Sequence, residues 1–143
     1  MNIRRKARET ALQVLYRVDI ADISLGEGFE AEMEELAPGT EARRYCEVLV
    51  HGVLDNRRKL DSTIERYSEN WTIERMAVVD RNVLRVAVYE LQYCKDIPYK
   101  VIIDEAVELA KRFGSDESGA FINGILDKIR KDIDEKPRSA AKF

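Results

Sequence analysis

Between Val79 and Lys95, apolar residues cover more than one face of any helix the segment can form: Val83, Leu84, Val86, Ala87, Val88 and Leu91. A helix apolar on most sides belongs in the interior, so other helices must wrap it. The rest of the chain has the right periodicity to supply them. Residues from about Arg4 to Asp22 place Ala7, Ala11, Val14, Leu15 and Val18 on one helical stripe. A short acidic helix carrying Phe29, Met33 and Leu36 is expected before Pro38-Gly39, which is strong punctuation. Thr40 can then cap a long helix with Tyr45, Val48, Leu49, Gly52 and Val53 on its stripe, continuing through Leu60, Ile64 and Tyr67, with a break near Asp55–Arg58. Thr72 precedes a short turn over Ile73 to Ala77. After the central segment, Pro98 opens a helix with Ile102, Ala106, Leu109, Ala110 and Phe113, and Gly114 suits its end. Ser115 or Asp116 is expected to cap a last helix bearing Ile122, Ile125, Leu126, Ile129 and Ile133. No window alternates as a strand does. The expected fold is all-α, a two-lobed helical bundle of about seven helices, with lobes over about 1–70 and 71–134 of a single domain. Residues 135–143 are expected to form a disordered tail.

At 143 residues the chain can bury about 68–70% of its unfolded surface, enough to fold without disulfide or metal. Cys46 and Cys94 form no C-x-x-C pair and read as free thiols of a reducing compartment. There is no 18-residue apolar run and no signal peptide, because Gln13, Tyr16, Arg17 and Asp19 interrupt the N-terminal segment. A cytoplasmic protein without a membrane partner is the expectation.

The charge is nearly balanced, 24 Lys+Arg against 27 Asp+Glu, a formal net charge of −3. Any affinity for a polyanion must therefore be local. One local patch stands out. Arg4, Arg5, Lys6 and Arg8 precede the first acid, Glu9, in the opening turn of the first helix. Cations there oppose the helix macrodipole by about 0.3–1 kcal/mol each. They either hold a polyanion or are incidental charge on a frayed end, and charge alone does not choose.

Other constellations are weaker. Asp104, Glu105 and Glu108 cluster on one helix, but a di-metal bundle site would want Glu-x-x-His motifs, and His51 is the only histidine. The cluster reads as a solvated face, with Lys111 and Arg112 able to pair with Glu108. No triad, Walker loop or G-x-G-x-x-G is present. No catalytic residue, cofactor or metal is expected. Phe121-Ile122-Asn123-Gly124 is unusual because Asn and Gly each cost a helix interior about 0.7–1 kcal/mol relative to Ala. Gly124 either permits close helix packing or serves a ligand. Asn123 could meet a base edge or phosphate, and Phe121 could stack on a base if its ring is accessible. By residue type, Phe121 and Tyr16 read as core or boundary residues.

Several segments in order resemble the NusB family of bacterial transcription antitermination factors. They are Arg4-Arg5-Lys6-Ala7-Arg8-Glu9 with Ala11-Leu12-Gln13-Val14-Leu15-Tyr16; Val79-Asp80-Arg81-Asn82-Val83-Leu84-Arg85; Tyr89-Glu90-Leu91; Ile97-Pro98-Tyr99-Lys100-Val101; Ile103 to Lys111; and Phe121 to Asp127. The resemblance spans about residues 4–130, and residues 23–40 and the tail carry none of it. It implies three helices in the first lobe, about four in the second, and no catalysis. It also implies binding of single-stranded boxA RNA together with ribosomal protein S10 (NusE), within an RNA-polymerase antitermination complex acting chiefly on ribosomal RNA operons. On this chain the resemblance puts RNA contacts at Arg4, Arg5, Lys6, Arg8, Glu117, Ser118, Phe121 and Asn123, and S10 contacts at Tyr16 and Asp80. Ala120 departs from the family, where lysine is frequent. A protein-interaction adaptor for S10 with weak RNA affinity of its own is the alternative. The same fold opens ribosomal RNA cytosine methyltransferases, but 143 residues leave no room for their catalytic domain, so the stand-alone factor is expected. A homodimer would be able to cover the basic helix, and no residue decides the oligomeric state.

Overall fold

The structure, a computed structural model, describes residues 3–21, 33–69 and 71–135, without the side chains of 134 and 135. Six α-helices occur among the described residues: α1 (Ile3–Ala21), α2 (Glu41–Asp55), α3 (Arg57–Tyr67), α4 (Val78–Tyr93), α5 (Tyr99–Phe113) and α6 (Ser118–Glu135). A single 3₁₀ turn, Ile73–Arg75, sits between α3 and α4. No strand is present among these residues. The expected acidic helix falls largely outside the described residues, as does the tail from 136. Met33 and Leu36 are described, and both are buried.

α4 is the axis, as its all-round apolar surface requires. Residues 82–88 are buried without interruption, and α4 packs against every other helix. Buried residues of all six helices join one apolar cluster. The boundaries follow local chemistry. The Thr40 hydroxyl accepts from the Arg43 amide and caps α2. At Asn56 the chain breaks between α2 and α3, where the Asn56 side chain donates to the Gly52 carbonyl. Pro98 opens α5 in an extended conformation.

The two glycines of the helical stripes behave differently. A Cβ at Gly52 would lie 2.2 Å from Cζ of Tyr89, so glycine is what lets α2 approach α4. Gly124 has nothing within 4 Å of such a Cβ, which rules out close helix packing as its reason.

The central helix is not purely apolar, and its polar residues tie the bundle together. Arg85, 2% exposed, donates from Nε and Nη2 to Asp61 of α3 at 2.7 and 3.1 Å, and from Nη1 to Asp19 of α1 at 3.1 Å. Arg81 adds two bonds of 2.8 Å to Asp19, and Asn82 adds one of 2.9 Å. Burial alone would push Asp19 up. The hydrogen bonds from Arg81 and Asn82, with the charges of Arg81 and Arg85, outweigh that and hold its carboxyl far below the usual carboxylate range.

Candidate nucleic-acid interface

The basic turn of α1 does not present four equivalent cations. Seven-residue periodicity explains the split: Ala7, Ala11, Val14 and Leu15 face the core, and Arg8 shares their side. Arg8 is 2% exposed and lies over Glu90 of α4, which is 1% exposed. Its Nε is 3.0 Å from each Glu90 oxygen, and Nη2 is 2.9 Å from Oε2. The Tyr45 hydroxyl of α2 donates to the same carboxylate. Burial, then the adjoining Glu90 charge, pushes the Tyr45 phenol well above its ordinary value. Arg8 is thus an interior residue joining α1 to α4, not a member of an exposed patch.

Arg5 is exposed and forks onto Glu105 of α5, with Nε 3.0 Å and Nη2 2.7 Å from its two oxygens. Those hydrogen bonds hold the Glu105 carboxyl below its ordinary value. Glu105 is itself buried, at 8%. This corrects the solvated-face reading of the Asp104, Glu105 and Glu108 cluster: only Asp104 and Glu108 are exposed. Arg112 pairs with Glu9 of α1. No group of acids, histidines and cysteines among the described residues is arranged to hold a metal.

Arg4 lies 4.5 Å from the ring centroid of Tyr45 and 3.7 Å from Asp96. The Lys6 ammonium is 3.8 Å from Glu35. The surface cations of this turn therefore stand beside acids, in loose pairs that a phosphate can displace or share.

The start of α6 lies near this turn. Arg5 and Asn123 line the same hollow, of about 650 Å³, together with Glu105, Lys111, Gly119 and Ala120. Asn123 and Glu117 are exposed. Ser118 is not: at 2% exposure its hydroxyl accepts from the Ser115 amide at 2.9 Å and closes the turn before α6. Phe121 is half-buried, with its ring edge-on to Trp71 at 6.2 Å. Trp71 is 45% exposed, and the Arg75 guanidinium lies 5.4 Å from its ring. Trp71 and Arg75 were not singled out from sequence. The available signal was the chain's single tryptophan set just before a helical turn, where a core role has little support.

Tyr16 and Asp80, which the family resemblance groups as one surface, line different hollows. Tyr16, 37% exposed, borders one of about 450 Å³ with Leu12, Gln13, Arg17, Val79 and Phe113. Asp80 borders another, with Trp71, Arg75, Ser118 and Phe121.

Comparison with known proteins fits this arrangement. The family model that matches is that of the NusB family, over residues 5–131. The chain belongs to the NusB family. The transcription antitermination protein NusB of Bacillus subtilis (strain 168) is 45% identical over 132 residues, covering 92% of this chain and 98% of that protein. A crystal form of T. maritima NusB superposes with a TM-score of 0.84 at 39% identity, covering 98% of this chain and 97% of that one. A NusB chain crystallised with the antitermination factor NusE and double-stranded RNA has a TM-score of 0.83 at 34% identity, covering 92% of this chain and 98% of that one. NusB proteins are antitermination factors and not enzymes, and the chain shares that character with its family. No described helix is long and apolar enough to cross a membrane.

Proposed function

We propose that this chain is a cytoplasmic transcription antitermination factor that binds single-stranded boxA-type RNA together with ribosomal protein S10 (NusE), and so joins an RNA-polymerase antitermination complex that promotes ribosomal RNA transcription. The observation that carries the reading is the shared hollow: Arg5 of the basic turn and Asn123 of α6 are distant in sequence and border one surface depression. Arg4, Arg5 and Lys6 supply attraction to phosphate, which positions a strand without reading it. Phe121 and Asn123 offer an aromatic face and an amide, the groups that unpaired bases recognise. Glu117 stands at the edge of this surface, and Ser118 holds the turn that presents it. Arg8 acts from beneath, fixing the angle of α1 through Glu90. The S10 contact is assigned to the Tyr16 hollow, with Val79 at its rim.

A second reading has its own support. Arg4, Arg5 and Lys6 stand beside Asp96, Glu105 and Glu35, so RNA must compete for them. An adaptor whose intrinsic RNA affinity is weak and rises with S10 follows from that competition.

One titration tests both. Labelled boxA-type RNA is followed by fluorescence anisotropy at two salt concentrations, with and without S10. Three surface cations predict a slope of log K against log salt near about −2, since single strands lose about 0.7 per phosphate neutralised. A salt-independent affinity refutes the assignment of Arg4, Arg5 and Lys6 to phosphate. Affinity that S10 leaves unchanged refutes the shared-complex reading.

A further inference from the structure

Val79 and Asp80 are neighbours in the first turn of α4, and they diverge. Val79 borders the Tyr16 hollow, whereas Asp80 borders a separate cavity of about 250 Å³. Asp80 is 9% exposed, and its Oδ1 is buried with no hydrogen-bond partner. A buried carboxylate oxygen without a donor is costly and rare, and it calls for an explanation. The donors around the cavity are engaged elsewhere. Arg75 lies on the Trp71 face, and Ser118 is committed to the turn at Ser115.

The remaining walls are aromatic and apolar: Trp71, Met76 and Phe121. Trp71 and Phe121 meet edge to face, which leaves ring faces available on an exposed residue. A cavity with aromatic walls, one cation at its rim and an unused carboxylate within suits a flat ring that carries an N–H donor. The terminal torsion of an aspartate is soft, so rotation brings the unbonded oxygen toward an occupant. Carboxylates read base edges in this way, accepting from the exocyclic amine of cytosine.

We propose that this cavity reads one unpaired base of the bound RNA, taking a base with an exocyclic amino group on the Asp80 carboxylate between the Trp71 and Phe121 rings, and refusing uracil. The inference rests on the RNA-binding function proposed above and adds to it a residue that reads sequence. Uracil presents O4 where cytosine presents N4, and O4 would face the carboxylate with a lone pair instead of a donor.

The test compares oligocytidine and oligouridine of about 12 nucleotides, a length within the span of single-strand sites, titrated against the full chain alone and with S10. The two pyrimidines match in size, so the amine is the variable. The wild type is expected to prefer oligocytidine by about tenfold. Asp80→Asn keeps the shape and lets the amide donate to O4, so it should bring the two affinities together. Phe121→Leu keeps the apolar contact, removes the ring and should weaken both. Equal binding of the two oligonucleotides by the wild type overturns the inference and leaves the RNA-binding function standing. Binding of neither, at low salt and with S10, overturns both. A preference that survives Asp80→Asn, above all with loss of S10 capture, assigns Asp80 to the protein partner and overturns the inference. The wild-type comparison needs no variant, so a poorly folded substitution cannot rescue it.

Discussion

Replacing Arg8 separates structural from RNA-facing charge within the basic turn. Arg8 is 2% exposed and Glu90 1% exposed. Three guanidinium–carboxylate contacts of 2.9–3.0 Å join them. Arg8→Met keeps the aliphatic volume and removes the charge. It leaves Glu90 inside the bundle, with the Tyr45 hydroxyl still donating to it. Breaking a buried pair by removing one partner costs about 3–5 kcal/mol, because the other charge is stranded. That is a large share of a total of about 5–15 kcal/mol. At roughly 2–4 °C per kcal/mol for a chain near this size, the melting temperature should fall by about 10–15 °C. Circular dichroism melts and urea titration measure it. Arg4→Ala, by contrast, should cost no more than about 1 kcal/mol, since its contact with Asp96 is loose and partly exposed. The triple change Arg8→Met, Glu90→Leu, Tyr45→Phe removes every member of the knot and should recover most of the loss, as apolar replacements of buried pairs commonly do. An Arg8→Met protein that melts within about 2 °C of wild type but no longer binds RNA would refute the interior placement. It would return Arg8 to the surface patch.

Other outcomes follow from neighbouring features. Asp19 and Glu105 have carboxyl pKa values below their ordinary ones, so the folded state binds fewer protons than the unfolded chain near about pH 4. The stability they contribute is complete above that range and is lost as pH falls through it. Urea midpoints should therefore drop between about pH 5 and 3, and Asp19→Asn should flatten the fall while lowering stability at neutral pH; an unchanged slope refutes the Asp19 network as its source. Gly124→Ala has open space for its methyl and should raise stability by about 1 kcal/mol. Gly52→Ala meets the Tyr89 ring and should lower it by about 1–3 kcal/mol. Melting temperatures moving the same way for both would contradict the packing. Trp71→Ala should weaken single-stranded RNA binding by about 1–3 kcal/mol if one base stacks there, read by anisotropy beside an unaltered S10 pull-down.

The helices were legible because one stripe or one all-apolar surface specified each of them. Val83 to Leu91 announced the central helix, and Asp55–Arg58 announced the break. What stayed hidden was the partner of each charge. Arg8 and Arg5 look alike in sequence and sit three residues apart, yet one is interior and the other is at the surface. The acid that decides this for Arg8 is Glu90, which lies 82 residues away. Glu105 read as one of three exposed acids because its cationic partners are on α1, about a hundred residues earlier. Gly124 read as a packing glycine because spacing cannot show that its side of α6 is open. Trp71 was passed over for a related reason. Its significance lies in meeting Phe121 and the Asp80 cavity, and neither contact is local.

The charge pattern also limits how recognition can be divided over this surface. The cations that face solvent in the first turn of α1 have acids within 2.7–3.8 Å. A phosphate that takes Arg5 must share it with Glu105, whose own charge then repels the strand. Net attraction by the turn is therefore smaller than a count of arginines suggests, and the global charge of −3 adds none. Discrimination between RNAs has to come from groups that gain contacts without losing others. Among the described residues lining these hollows, the exposed Trp71 ring and the buried, unbonded oxygen of Asp80 meet that condition. Exposed Asn123 lies beside Arg5 and can add a contact where the strand passes. Attraction then belongs to α1 and choice to the Trp71–Asp80–Phe121 cavity, and that separation makes the salt slope and the base preference independent measurements.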